Sequence, residues 1–261
     1  MLSPRFIKVK QGRIAVAIIA VCSVKGGVGK TTLAVDLAWR SAVAGKYRTL
    51  LWDLDSQGGA GFLLGHDEPR VPRAAGIFQR DGKPRQLIEP TAYPGLSLLP
   101  GDTSLRGLPG ALARLGPKRL ANIAGFLRAD FDRIILDCPA GYNELTEQAI
   151  MAADLLIVPL PPSPLSARSL DMLRRDILRV HHRHPPILPV LSMYSSRRML
   201  HRTVRNGDAA GWPVIPFASL IEQMAVRRAP LGAFSPHVDA ARALARLWHG
   251  IETKLATRKA A

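Results

Sequence analysis

The sequence predicts an α/β fold: a doubly wound, mostly parallel sheet with helices on both faces. Two patterns carry this expectation. Short apolar runs alternate with longer helical stretches almost to the end of the chain, and strand–helix alternation of that kind produces parallel strands joined by right-handed crossovers. The runs also show little polar alternation, as strands do when helices cover both faces of their sheet. A length of 261 residues suits one large domain of this class.

Taken in order, residues 14–23, 49–53, 96–99, 133–137, 155–159, 187–192 and 213–216 read as strands. Residues 30–44, 117–129, 144–153 and 165–182 carry the main helical patterns between them. Segment 65–94 holds several prolines and charges with weak periodicity and reads as a variable surface excursion. The 22 glycines and 21 prolines are scattered among the apolar runs, which places them in turns of a folded domain rather than in a low-complexity tail.

The charge balance is unusual. Lys plus Arg total 36 against 20 Asp plus Glu, a formal net charge of +16. An excess of that size favours polyanions such as DNA, RNA or an anionic membrane surface. An Arg-rich composition without such a partner produces the same count, so charge alone names no ligand. Cys22 and Cys138 each sit inside a strongly apolar run and read as buried thiols rather than a disulfide or metal pair. The apolar run 14–24 is shorter than the ~20 residues needed to span a bilayer. Arg5, Lys8, Lys10 and Arg13 precede it, as in a signal peptide, but no small-residue cleavage site comes after it. It reads as the first strand of a cytoplasmic protein.

Directly after that strand the chain runs Val24-Lys25-Gly26-Gly27-Val28-Gly29-Lys30-Thr31-Thr32 and opens a helix. Glycines in this context let successive backbone N–H groups curl around phosphates, and the helix N-terminus adds partial positive charge. Lys30 would reach the β- and γ-phosphates, and the Thr31 hydroxyl would ligate Mg²⁺. The strict P-loop pattern is not met, because Val24 stands where it has its first glycine; in exchange Lys25 lies at the mouth of the loop.

Hydrolysis of Mg-nucleotide also calls for carboxylates near the C-terminal ends of neighbouring strands. Leu50-Leu51-Trp52-Asp53-Leu54-Asp55 ends one strand with two aspartates, and Ile134-Ile135-Leu136-Asp137 ends another with one. A lone Asp after a strand is usually a cap, but two such ends downstream of a phosphate loop point to a metal site. Asp137 would hold Mg²⁺ through water, and one Asp of the first pair would orient the attacking water.

On these residues the chain resembles the ParA/MinD/Soj ATPases. Lys25-Gly26-Gly27-Val28-Gly29-Lys30-Thr31-Thr32 is similar to their deviant Walker A box, Asp53-Leu54-Asp55-Ser56-Gln57-Gly58 to their D-x-D-P-Q-G, and Asp137-Cys138-Pro139-Ala140 to their D-C-P-P. The likeness continues through Leu145-Thr146, Ala152-Ala153-Asp154, Val158-Pro159 and Met193-Tyr194, covering residues 14–250. It implies a P-loop ATPase domain over 14–255, between a basic extension (1–13) and a short basic tail (256–261). Further, it implies that ATP and Mg²⁺ are bound and that Lys25 reaches the nucleotide of the second subunit in an ATP-bound homodimer. Lys30 and Thr31 would hold phosphate and Mg²⁺, and Asp55 would position water, leaving Asp53 a supporting role. The adenine is expected near Met193, Pro216 and Phe217. Ser56, Gly59, Ala140-Gly141 and Gln148 depart from the family pattern without removing a phosphate or Mg²⁺ group.

Within the resemblance, one reading is a ParA-like ATPase whose dimer binds DNA non-specifically and positions a cargo, with hydrolysis stimulated by a ParB-like or cargo-adaptor protein. Arg197, Arg198, Arg202 and Arg205, then Arg227 and Arg228, supply the phosphate contacts, with 198, 202 and 205 expected on one helix face. A solvated helix face has the same composition. No helix-turn-helix precedes the loop, which argues against specific operator binding, and segment 65–94 is expected to help read the partner.

The alternative is a MinD-like membrane-cycling ATPase. Leu244, Leu247, Trp248, Ile251 and Leu255 form an apolar stripe, accompanied by Lys254, Arg258 and Lys259, although a terminal helix packed on the sheet carries the same stripe. Iron–sulfur relatives need cysteines placed to hold a cluster between subunits, and kinase relatives usually carry a Tyr-rich tail; neither feature is present. The run His181-His182-Arg183-His184 reads as a solvated helix end rather than a metal site.

Overall fold

The computed structural model describes residues 16–67, 71, 73–181 and 184–257. The extension 1–13, the first two residues of the expected strand 14–23, positions 68–70 and 72 of the excursion, His182, Arg183 and tail positions 258–261 lie outside the described residues.

The strands are β1 (Ala17–Ser23), β2 (Thr49–Asp53), β3 (Glu89–Pro90), β4 (Leu96–Leu99), β5 (Arg133–Ala140), β6 (Leu155–Leu160), β7 (Ile187–Tyr194) and β8 (Val214–Pro216). They form one sheet in the order β3-β4-β2-β5-β1-β6-β7-β8. Every neighbouring pair is parallel except β3 with β4 at the edge. This is the doubly wound sheet that the alternation of runs predicts. β3 has no counterpart in that pattern, since two residues carry no periodicity. It exists because Glu89 and Pro90 pair with Leu98 and Ser97, on an edge where proline's missing N–H is tolerated.

The helices are α1 (Lys30–Val43), α2 (Gly59–Leu63), α3 (Leu108–Leu115), α4 (Arg119–Leu127), α5 (Glu144–Ala152), α6 (Pro164–Val180), α7 (Met199–Asn206), α8 (Ser219–Arg227), α9 (Leu231–Phe234) and α10 (Asp239–Thr257). Successive strand residues point to opposite faces, and the sheet separates two cores accordingly. Ile18, Ala20, Cys22, Leu50, Trp52, Ile134, Leu136 and Cys138 face α3 to α6. Ile19, Val21, Leu51 and Ile135 face α1, α2 and α8 to α10. By the same parity Asp53 lies two residues beyond Leu51 and Asp137 two beyond Ile135, so both carboxylates project toward α1. The register places Asp53 beside Asp137, and Asp137 beside Val21.

Segment 65–94 is more than a surface excursion. A 3₁₀ turn over Ala74–Phe78 puts Ala74, Ile77 and Phe78 into the core, with the Phe78 ring 5.9 Å from Trp52. Asp102 staples it down, accepting from the N–H groups of Arg73 (2.7 Å), Ala74 (2.8 Å) and Ser104 (2.9 Å). Burial raises the Asp102 pKa, but these bonds and the Ser104 hydroxyl outweigh it and hold the carboxyl below its usual value. The prolines obscure this core turn in the sequence because they interrupt any helical period.

The α10 stripe faces inward. Leu244, Leu247, Trp248 and Ile251 are buried against α1 and the sheet, with Leu255 packed alongside. Arg133 at the start of β5 clamps the helix through Glu252 at 2.7 and 2.9 Å, beneath the Tyr47 ring. Among the described residues no helix is long and apolar enough to cross a membrane.

Asp36 locks α1 to the same layer. Fully buried, it accepts from Arg40 Nε at 2.5 Å and from the Gly232 N–H at 3.0 Å, while Arg40 Nη2 donates to Ala241 O at 3.0 Å. Burial raises its pKa against the pull of Arg40 and Gly232. Breaking a buried pair strands the remaining charge. Asp36→Ala is therefore expected to lower unfolding free energy by about 3 kcal/mol, measured in urea melts; an unchanged midpoint would show that the pair contributes nothing net.

Candidate nucleotide site

Residues 24–29 form the bend between β1 and α1. Gly27 (φ 68°) and Gly29 (φ 87°) occupy the left-handed region, which costs L side chains energy and explains glycine at both. A Cβ at Gly26, Gly27 or Gly29 would meet nothing within 4 Å. The loop is thus an open cradle, and α1 starts behind it with no side-chain cap and no acidic residue in its first turn. Free N–H groups there suit an anion. Lys30 is only 7% exposed, Thr31 and Thr32 are half-buried, and Lys25 stands half-buried at the loop mouth with its N–H 3.3 Å from Ser23 Oγ.

Asp137 is completely buried, and neither carboxylate oxygen has a hydrogen-bond partner among the described residues. Burial and then the adjacent Asp53 carboxyl push its pKa well up; the Thr31 hydroxyl and Lys30 ammonium pull the other way. An unpartnered buried carboxylate is costly, and a cation beside it would reverse that cost. The surroundings therefore fit Mg²⁺, which takes few protein ligands, usually one or two carboxylates together with water and substrate phosphate.

The two aspartates of the first acidic strand end separate by environment. Asp53 is buried and accepts from the N–H groups of Asp55 (3.0 Å) and Ala60 (2.9 Å); burial pushes its carboxyl up to about 7. It shapes the loop that carries Asp55. The Asp55 side chain is half-exposed and, among the described residues, accepts from the Gln57 N–H at 3.1 Å. Gly59 brings this loop against the phosphate loop, since a Cβ there would lie 3.3 Å from Thr31 Cγ2. Gly101 closes the other side: a Cβ there would collide with Asp55 O and Asp53 Cγ. Gly101 belongs to no motif of the sequence, although its place in Pro100-Gly101-Asp102, just after β4, is a signal for it.

A cavity of about 210 Å³ opens beside the loop. It brings together Val28, Gly29 and Thr32 with Met193, Pro216 and Phe217, the residues expected around adenine. Met193 takes φ 56° at the end of β7. Among its further lining residues are two polar ones that the sequence does not single out. Ser192 presents a buried hydroxyl with no partner among the described residues, and Glu222 reaches in from α8. Neither belongs to a recognisable motif; they meet the loop only through the sheet order.

The arginine clusters sort unevenly. Arg197 and Arg198 are exposed in the turn after β7. α7 begins at Met199 with Arg198 as its N-cap, and the Arg202 N–H donates to Arg198 O at 3.3 Å, while Arg202 and Arg205 lie within the helix. Buried His201, accepting from the Ser195 N–H at 2.9 Å, fixes that helix start. Arg202 donates to Ser196 O at 2.8 Å, Arg205 lies 5.3 Å from the Tyr194 ring centre, and Arg227 lies 5.0 Å from that of Phe234. Arg228 is committed internally: left-handed at φ 50°, it donates to Phe62 O (3.1 Å) and His66 O (2.7 Å) and pairs with Asp67 (2.8 Å). It ties α8 to α2 and drops out of the free cations.

The remaining polar candidates also find protein partners. His181 meets Glu147 at 2.9 Å, and His184 meets Pro185 O at 2.7 Å. Cys22 and Cys138 are free buried thiols with sulfurs 2.7 Å apart, and burial keeps Cys138 well above its usual pKa.

The chain is similar to proteins already known. A family model described as an AAA domain matches residues 16–190. The chromosome partitioning protein ParA of Myxococcus xanthus (strain DK1622) is 33% identical over 197 residues, covering 72% of this chain and 69% of the relative. That of Caulobacter vibrioides (strain NA1000 / CB15N) is 32% identical over 215 residues, covering 76% and 80%. Among solved structures, the septum site-determining protein MinD of Pyrococcus horikoshii OT3, complexed with Mg-ADP, matches with a TM-score of 0.75 at 23% identity, over 92% of this chain and 97% of that one. At that identity the likeness is one of fold. Sheet, loop and relatives together define a P-loop NTPase fold. Within that class, the chain belongs to the ParA/MinD family of P-loop ATPases.

Proposed function

We propose that the protein is a ParA-like positioning ATPase that binds Mg-ATP, dimerises on it, associates with DNA without sequence preference and releases on hydrolysis. The observation that supports this reading is the combination of Lys25 at the mouth of an open glycine cradle and a buried Asp137 carboxylate that has no hydrogen-bond partner among the described residues. Lys30 and the first N–H groups of α1 bind and orient the phosphates, and the base enters the cavity of Met193, Pro216 and Phe217. Thr31 and Asp137 would hold Mg²⁺, which when bound neutralises charge on the phosphates. Asp55 orients the attacking water, and Lys25 completes the site of a second subunit. An isolated subunit then hydrolyses ATP weakly, and a ParB-like or cargo-adaptor protein stimulates turnover.

Arg197, Arg198, Arg202, Arg205 and Arg227 form the DNA-facing cations of this reading, in a protein held in the cytoplasm and on the nucleoid when ATP-bound. The net charge of +16 supports a polyanionic partner. The membrane-cycling alternative loses its main support, because the α10 stripe is buried in the core. The test is a side-by-side measurement of ATP-dependent binding to plasmid DNA and to anionic liposomes. DNA binding should weaken steeply with salt. Replacing Arg197, Arg198 and Arg202 by Ala should reduce the slope of log K against log salt by about 0.9 for each phosphate no longer neutralised. Liposome binding with no DNA binding would overturn the reading.

A further inference from the structure

We propose that the groove between residues 77–86 and α4 binds an acidic segment of a partner protein that carries an aliphatic or aromatic anchor. The groove is about 430 Å³ in volume and shares no lining residue with the nucleotide cavity. Its floor is apolar: buried Ile77, and Phe126 with half of its side chain exposed on α4. Its rim is cationic, formed by Arg80, Lys83, Arg85 and Arg119.

The rim charges are available in different degrees. Arg85 lies 4.0 Å above the Phe126 ring centre and pairs with Asp130 at 2.7 Å. Arg119 donates to Phe78 O at 2.8 Å and to Gln79 O; these neutral carbonyls fix its direction without cancelling its charge. Arg80 and Lys83 are exposed and have no carboxylate partner among the described residues. Among the described residues these four cations form one ion pair, and with the exposed Asp81 beside them the rim still carries an excess of positive charge.

The backbone beneath the groove is held in place. Ile77 and Phe78 sit in the core, the Asp102 staple fixes the N-terminal side of their turn, and Arg119 ties its C-terminal end to α4. A preformed groove binds without the entropic cost of first ordering itself. An apolar floor within a cationic rim matches a peptide that inserts one hydrophobic side chain and flanks it with carboxylates. Duplex DNA offers the charge, but its phosphate backbone has no apolar group to cover Phe126.

Random dodecapeptides displayed on phage, selected in the absence of nucleotide against the full chain and against its Arg80→Glu/Lys83→Glu variant, test this directly. Both substituted residues are exposed, and thermal melts by circular dichroism establish that the variant folds. The expected outcome is enrichment on the unsubstituted chain of acidic peptides with a central Leu, Phe or Trp. Synthetic, fluorescein-labelled versions should lose at least tenfold in affinity on the charge-reversed variant and on Phe126→Ala. Selection with no acidic bias, or affinity untouched by these substitutions, overturns the proposal. So does a charge-reversed variant that loses duplex-DNA binding while holding the peptides as before, which would give the rim to DNA. Lys30→Ala should leave peptide binding unchanged, so failure of the ATP reading is distinguishable from failure here.

Discussion

Lys30→Ala is expected to lose ATP affinity by about a hundredfold or more, since a charged hydrogen bond and a desolvated cation disappear together. Lys30 is 7% exposed at the first position of α1, where its ammonium offsets part of the burden that burial places on Asp137. The substitution removes the phosphate cation and also a group favouring an ionised Asp137, so Mg²⁺-dependent binding should suffer most. Titration calorimetry with ATP, with and without Mg²⁺, reads both effects. Unchanged affinity in a folded variant would refute the phosphate-loop assignment.

Asp55→Ala is expected to behave in the opposite way: nucleotide stays bound while turnover falls by about a hundredfold or more, the scale of a lost positioning carboxylate. The two neighbouring aspartates are employed quite differently. Asp53 is buried and accepts from the N–H groups of Asp55 and Ala60, whereas Asp55 is half-exposed and accepts from that of Gln57. The ATP-bound dimer should accumulate on DNA, seen as slow release from plasmid after ATP is chased. Normal turnover would move the water-positioning role to another group. Asp53→Ala should instead unfold the 55–60 loop and weaken nucleotide binding itself.

Much of this site is legible in the sequence because its chemistry is local. Glycines at 27 and 29 sit where positive φ is needed, and a Gly-rich turn between an apolar run and a helix is readable from sequence. β2 and β4 have the bounds that their apolar runs imply, and β5 differs only in running three residues further, to Ala140, where it pairs with Ser23. That each run ends in an aspartate is legible too, whereas the shared face of Asp53 and Asp137 follows from the strand register.

Features that local pattern does not convey depend on distant partners. The 3₁₀ turn at Ala74–Phe78 is core because Asp102 and Trp52 come to it, and nothing within residues 65–94 announces either. α7 starts only at Met199, with Arg198 as its cap, and buried His201 ties that start to the Ser195 N–H just after β7, a contact that the arginine spacing does not announce. Arg228 looks in sequence like the twin of Arg227, yet its left-handed backbone turns it toward carbonyls more than a hundred and sixty positions away in sequence.

By itself, then, the sequence determined the doubly wound sheet, the glycine cradle, the carboxylates after β2 and the extra lysine at the loop mouth. These arise from backbone preference, side-chain parity and charge, which act over a few residues. Only the tertiary structure decided that Asp137 is left without a partner among the described residues, that Ser192 and Glu222 line the cavity, that the α10 stripe is core, and that Arg80 and Lys83 rim a groove. Those outcomes are set by which strands lie side by side and which helices cover them, and burial and pairing exist only once that packing is complete.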